Sequence, residues 1–241
     1  MSDADDIAPV ARFSEAERQA VYRAIYERRD VRAEFLPDEI PRDAVLRILS
    51  AAHHAPSVGL MQPWNFILVR DRGTRGRIGA AFRRAAEAEE RQIADDKRAL
   101  YRALKLEGIL KAPLNICVTC DRARFGRTGL GRTQQPDTDL FSTACAVQNL
   151  WLAARAEGIG VGWVSILRPA DLRSILGIPE AIAVVAYLCV GLIERAYVRP
   201  ELEVKRWAQR LPLEDLIYEE RWGVGGATEA SAPVSETLIL P

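Results

Sequence analysis

Histidine is almost missing from this chain of 241 residues: there are two, His53 and His54, side by side. Cysteine is scarce too, at four. Adjacent residues on a helix point about 100° apart, so the two histidines diverge. Cys117 and Cys120 form a C-x-x-C in NICVTCD, but that stretch reads as a buried strand, where residues three apart face opposite sides. No second C-x-x-C follows. These residues read as small core thiols in a reducing compartment, not as a metal centre. No apolar run approaches the roughly 20 residues that span a bilayer. The opening, MSDADDIAPVAR, is acidic and lacks the apolar stretch of a secretory signal, so a cytoplasmic location is expected. Lys+Arg and Asp+Glu are equal at 33 each. That balance excludes a global field for nucleic acid or an anionic membrane. There is no G-x-x-x-x-G-K-[ST], no G-x-S-x-G and no H-E-x-x-H. The glycines of GRTGLG (Gly126, Gly129, Gly131) do not join a strand directly to a helix, so a dinucleotide-binding turn is unsupported.

What is present is the balance of an ordinary globular protein, 49% apolar and 27% charged. Residues 15–29 read as an amphipathic helix with Val21, Tyr22 and Ile25 on one face. Pro41 starts a second helix and Pro56 stops it, with Val45, Ile48, Leu49 and Ala52 as its buried stripe. Strands are expected at 65–69, in LNICVTCD, in VGWVSIL and in AIAVVAYLCVGLI. The last is continuously apolar and so buried on both faces. LFSTACAVQNLWLAARAEGIG is a helix apolar nearly all round, ending at Gly158. Strands alternating with helices predict an α/β or α+β fold with a central sheet of four or five strands. One domain is expected over 14–223, with flexible tails at 1–13 and 224–241. The segment 75–110 is charged and helical in propensity. Its apolar content looks too thin for a core helix, so it is expected to be an exposed pair of helices or a cover.

Three local features could carry chemistry. RRDVRAEF places Arg28, Arg29 and Arg32 around Asp30. Arginine's planar fork suits phosphate, and Arg28 with Arg32 could clamp one while Arg29 faces elsewhere. The alternative is a solvated helix end whose dipole favours cations. Asp30 itself could be a base, a cap or an internal ion-pair partner. HAPSVGLMQPW is a turn stiffened by Pro56 and Pro63, either ligand-facing or a plain connector. GIGVGWVSIL brings three glycines into an apolar strand, for close backbone approach to a planar ligand or for a tight turn.

Taken in order, these pieces resemble the nitroreductase-like flavoproteins. RRDVRAEF is similar to their R-x-S-x-R/K-x-F opening, and APSVGLMQPWNFILV to their APS…QPW-x-F segment. AEGIGVGWVSIL resembles their GLG turn and following strand, and RLPLEDLIYEERWG their C-terminal KRLPLEE segment. Asp30 in place of Ser, Ser165 in GWVSIL and the 75–110 segment resemble the 5,6-dimethylbenzimidazole synthase (BluB) family within them. Leu60 stands where many nitroreductases carry an Asn that contacts the flavin ring.

The resemblance implies an α+β sandwich with a mixed, mostly antiparallel sheet and a helical lid. It also implies a homodimer with FMN at the interface. Arg28, Arg29, Asp30, Val31 and Arg32 would lie along the phosphate and pyrimidine side of FMN. Ser57 and Met61 would lie in a loop along the flavin, Lys105 would come from the lid, and Arg210 would reach the phosphate from the partner chain. Ser165 would sit beside N5. Asp30 would act near the ribityl chain, held ionised by the adjacent arginines. The implied reaction consumes O2 and reduced FMN, releasing 5,6-dimethylbenzimidazole and erythrose 4-phosphate, for the lower ligand of cobalamin. NAD(P)H would enter indirectly, through a separate flavin reductase. An ordinary NAD(P)H nitroreductase or dehydrogenase, and a flavin-binding protein without turnover, are the other readings.

Overall fold

A computed structural model describes residues 9–126 and 130–224. The chain divides into two compact units, residues 1–200 and 201–241.

The first unit is built on a four-stranded sheet, β1 (Trp64–Val69), β2 (Leu114–Asp121), β3 (Ile159–Trp163) and β4 (Ile182–Leu192), in the order β1-β2-β4-β3. All three pairings are antiparallel. Among the described residues the only parallel element is an isolated bridge between Asp30 and Val161, so the expected mixed sheet is mixed there only through the arginine segment. The α+β sandwich itself is borne out. β4 is the hinge of the core, because its alternate side chains feed two separate apolar clusters. Ala186, Leu188 and Val190 join a cluster with α2 (Arg42–His53) and α5 (Thr138–Ala156). Tyr187 and Cys189 join one with Ile78 and Phe82 of α3 (Arg72–Glu90) and Leu172 of α6 (Pro169–Leu176). This two-sided burial is what the continuous apolar run required. On β2, burial pushes the Cys117 thiol up to about 12.

α1 (Glu15–Glu27) begins at a capping box, Ser14 with Glu17. None of its residues is buried in the single chain, and Val21, Tyr22 and Ile25 stay exposed. α2 follows Pro41 and buries Val45, Ile48 and Ala52 as expected.

The expectation for the charged segment needs correction. α3 is a core helix through its first turns, where Ile78 and Ala81 are wholly buried, Phe82 nearly so, and Arg75 is buried with them. Ile78 and Phe82 carry that burial on one face, in the cluster of Tyr187 and Cys189, which a count of apolar residues overlooks. Only α4 (Asp95–Ala103) has the character of a cover, with Tyr101 its one buried residue. Ile109, in the stretch after α4, is wholly buried in the core. The stretch after α4 is pinned there. A side chain at Gly108 would meet the Arg32 carbonyl at 2.6 Å, so glycine alone permits this approach to the arginine segment.

The second unit holds a short helix, α7 (Glu201–Val204), and a single tight turn, Leu213–Leu216. Among its described residues, the side chains of Leu211, Leu213, Leu216 and Trp222 are exposed. No helix among the described residues is long and apolar enough to cross a membrane.

Candidate functional site

The arginine segment leaves α1 and runs against the open edge of β3. Val31 donates its N–H to the Val161 carbonyl at 3.0 Å. The approach is so close that a Cβ on Gly162 would stand 1.9 Å from the Val31 carbonyl oxygen. One glycine of GIGVGW is thus required for packing of chain on chain, which neither reading foresaw, while Gly158, at φ 72°, makes the helix–strand turn.

Asp30 is the centre of this corner. Its Oδ1 accepts the backbone N–H of Trp163 at 2.9 Å, and its Oδ2 pairs with Arg32 Nη2 at 2.6 Å. Its side chain keeps 30% of its exposure and that of Arg32 only 12%. Burial raises the Asp30 carboxyl above its ordinary value, against the lowering effects of Arg32, the Trp163 N–H and Arg28. The sequence reading let the arginines dominate; desolvation wins because the segment lies against the sheet rather than at a solvated helix end. A raised value makes the carboxylate a stronger base than the arginines alone would leave it.

The three arginines do different things. Arg28 lies with its guanidinium carbon 4.8 Å from the centroid of the Trp151 ring. Arg29 turns back into the protein. It donates to the carbonyls of Tyr197 (2.9 Å), Tyr26 (2.6 Å) and Arg28 (2.7 Å), and also to that of Val198. Arg32 holds Asp30. A pocket of about 160 Å³ opens beside them, lined by Arg28, Arg29, Arg155 and Arg195 with Gly158 and Gly160. Glu27 and Glu194 also line it, Arg155 is paired with Glu27 and Arg29 with carbonyls, so Arg28 and Arg195 carry the excess positive charge that suits a phosphate there. Ser165 is exposed, two residues beyond the Trp163 N–H that holds Asp30. Val31 is buried beneath the corner. Lys105 is exposed in the stretch between α4 and Gly108, which packs on Arg32.

Ser57 and Met61 lie elsewhere. They belong to a turn before β1, in which Gly59, Leu60 and Gln62 have φ of 60°, 51° and 44°. Leu60 is 70% exposed, so an apolar, branched residue is held in the left-handed region at the surface. The turn is fastened by Gln62 N–H donating to Ser57 Oγ (3.1 Å) and Val58 N–H to Ser142 Oγ (3.2 Å). Arg124 braces its exit, donating to the carbonyl oxygens of Gln62 (2.6 Å) and Trp64 (3.1 Å). Met61 is buried, at the floor of an open groove of about 490 Å³ walled by Leu49, His53, Trp64, Phe66 and Phe125. β1 and β3 are opposite edges of the sheet, about 14 Å apart at ordinary strand spacing. The two places also lie near opposite ends of the strands, on the rows of Ala183 and Val190, about 23 Å apart at 3.3 Å per residue. One chain therefore does not bring Ser57 and Met61 to Asp30. Arg210 is exposed in the second unit, ahead of Leu213–Leu216.

The model of the nitroreductase family matches residues 25–192, from the end of α1 to the end of β4. The chain belongs to the nitroreductase family. That match takes in both corners just described. The chain is 44% identical to a 5,6-dimethylbenzimidazole synthase of Rhodospirillum rubrum, over 77% of this chain and 87% of the relative. It is 38% identical to one of Rhodobacter capsulatus, over 84% and 97%. Among solved structures it shares its fold with a nitroreductase-family protein of Clostridium novyi, with a TM-score of 0.57 and 23% identity over 86% and 96%. The fold also matches iodotyrosine deiodinase bound to FMN and 3-iodo-L-tyrosine, with a TM-score of 0.61 and 21% identity over 73% and 91%.

Sequence reasoning passed over several residues of these two corners: Trp151, Trp163 and Arg155 at one, and Arg124 at the other. Trp163 acts through its backbone, which leaves no trace in residue type. Trp151 and Arg155 are four apart on α5, and Arg155 Nη2 holds Glu27 at 2.6 Å, next to Arg28. That spacing on an otherwise apolar helix was the available signal.

Proposed function

We propose that this chain is a 5,6-dimethylbenzimidazole synthase, an O2-dependent enzyme that breaks reduced FMN into 5,6-dimethylbenzimidazole and erythrose 4-phosphate. The observation that carries the reading is Asp30. A half-buried carboxylate with a raised pKa, fixed by a backbone N–H and an arginine, is a base prepared for proton removal, set where a phosphate clamp would otherwise want only cations. Two relatives of that name, matching over most of both chains, support it.

FMN suits the corner by donor chemistry, with the arginine-lined pocket taking its phosphate. Reduced flavin supplies the electrons that activate O2. The protein's part is placement. Arg28 and Arg32 orient the phosphate and ribityl end. Asp30 takes a proton from the ribityl chain, and Arg32 keeps its carboxylate aligned. Ser165 holds or moves a proton at flavin N5, and α4 with the Lys105 stretch excludes water.

FMN would lie between two copies. A ligand that touches both Asp30 and the Ser57–Met61 turn cannot do so within one chain, so the second copy would supply that turn, and Arg210 would approach the phosphate from the partner. The exposed apolar face of α1 supports such an assembly. A separate flavin reductase would deliver reduced FMN at the expense of NAD(P)H.

The test is aerobic turnover of the full chain with FMN, NAD(P)H and a flavin reductase, read by mass spectrometry. Formation of 5,6-dimethylbenzimidazole is expected. Steady NAD(P)H oxidation with complete recovery of flavin would mean an ordinary reductase, and stable binding without either would mean a flavin carrier.

A further inference from the structure

Trp151 belongs to the middle of α5 and is only 8% exposed. A buried tryptophan ordinarily fills core space and finds one partner for its indole N–H. This one makes two contacts with the arginine segment and a third with β3. Its Nε1 donates to the Arg29 carbonyl at 3.3 Å. Its ring face lies under the Arg28 guanidinium at 4.8 Å. Its ring is 6.4 Å from that of Trp163, tilted by 48°, and Trp163 is the residue whose N–H holds Asp30. One turn further along α5, Arg155 holds Glu27 at 2.6 Å, so the helix grips consecutive residues 27, 28 and 29.

We infer that Trp151 is a positioning residue that sets the Arg28 guanidinium for a phosphate at the arginine-lined pocket. The inference rests on the reading of FMN as ligand, with Arg28 at its phosphate. Stacking over an indole face restrains the long arginine side chain while leaving its N–H donors in the guanidinium plane. The indole N–H at the Arg29 carbonyl restrains the backbone from which Arg28 projects. Arginine held in this way loses less rotamer freedom on binding an anion. The pocket fits the inference, because Trp151 lines it together with Arg28, Arg155 and Gly160.

The experiment compares oxidised FMN with riboflavin, which differ only in the phosphate. Dissociation constants are measured by quenching of flavin fluorescence for the full chain and for Arg28→Ala, Trp151→Phe, Trp151→Leu and Arg28→Ala/Trp151→Leu. Arg28→Ala is expected to cut the preference for FMN over riboflavin by about 10- to 100-fold, the range for a charge-assisted contact. Trp151→Leu is expected to cut it by about tenfold and Trp151→Phe by about two- to threefold, since phenylalanine keeps a weaker face and loses the N–H. Riboflavin affinity should change by less than about twofold in each, and the double variant should show no more loss than Arg28→Ala alone. If Trp151→Leu does not fold, Trp151→Phe decides. Loss of preference in Arg28→Ala with none in either Trp151 variant overturns the inference and leaves the phosphate reading intact. Equal weakening of FMN and riboflavin in the Trp151 variants overturns it as a merely structural effect. No loss of preference in Arg28→Ala removes the phosphate reading, and the inference with it.

Discussion

The two corners of the sheet solve different problems with different means. At the β3 corner, charge is arranged by side chains. Asp30 is fixed by Arg32 and the Trp163 N–H, and Arg28 lies over Trp151. At the β1 corner, shape is arranged by the backbone. Gly59, Leu60 and Gln62 all take positive φ, and Arg124 braces the exit through carbonyl oxygens. The first corner has the equipment to move protons and hold an anion. The second offers an apolar surface and hydroxyls in a stiff turn. A reaction that needs both needs them brought together by assembly, since a single chain holds them at opposite ends of its sheet.

The sharpest way to test this division is chemical. Asp30→Asn and Ser165→Gly are each expected to lower 5,6-dimethylbenzimidazole formation by about 10²–10³-fold, the size of one lost positioned polar contact, with FMN affinity within a few fold of wild type. A comparable loss from Met61→Ala at the other corner, with normal FMN binding, would show that the division of labour is wrong.

Next comes packing. Gly162→Ala places a methyl group against the Val31 carbonyl, so it should push the arginine segment off β3 and cost about 3 kcal/mol, read from the urea midpoint. An unchanged midpoint would mean that the corner tolerates displacement and is not held by β3.

The β1 corner should respond in the opposite direction. Leu60→Gly relieves a left-handed leucine, and after the entropy cost of glycine a gain of about 0.5 kcal/mol is expected, seen as a small rise in Tm. A fall in Tm would show that Leu60 packs in the free protein instead of waiting for a ligand or partner.

The smallest effect is in the pH dependence. The folded state holds the Asp30 proton more tightly than the unfolded chain, so Asp30 favours folding most below its ordinary value of 3.8 and loses that contribution as pH rises through the raised one. The Tm difference of Asp30→Asn over wild type should therefore grow between about pH 4 and neutrality. A difference that shrinks over that range would mean the arginines outweigh burial.

Much of the scaffold is legible in residue order. Pro41 marks the start of α2, and the unbroken apolar run of β4 requires cover on both faces, which it has. Element character failed where a few apolar residues share one face. Arg75 to Phe82 looks like a charged surface helix, yet Ile78, Ala81 and Phe82 are buried together in the core. The order of motifs led to the family, and the match over residues 25–192 agrees. It did not lead to Trp151, whose contacts with Arg28 and Arg29 cross more than a hundred positions, nor to the Trp163 N–H, which every residue but proline possesses.

By itself the sequence determined which groups were available: three arginines around a carboxylate, a proline-stiffened turn and a glycine-rich apolar strand. Local patterns are enough for this, because propensity, capping and apolar period act over a few residues. Tertiary structure alone decided what each group is for. It turned Arg29 inward to carbonyl oxygens, left Arg28 on an indole, raised Asp30 by burial and set the Ser57–Met61 turn at the far corner of the sheet. The reason is physical: desolvation, close backbone approach and strand order are properties of what lies nearby in space, and these neighbours are distant in the chain.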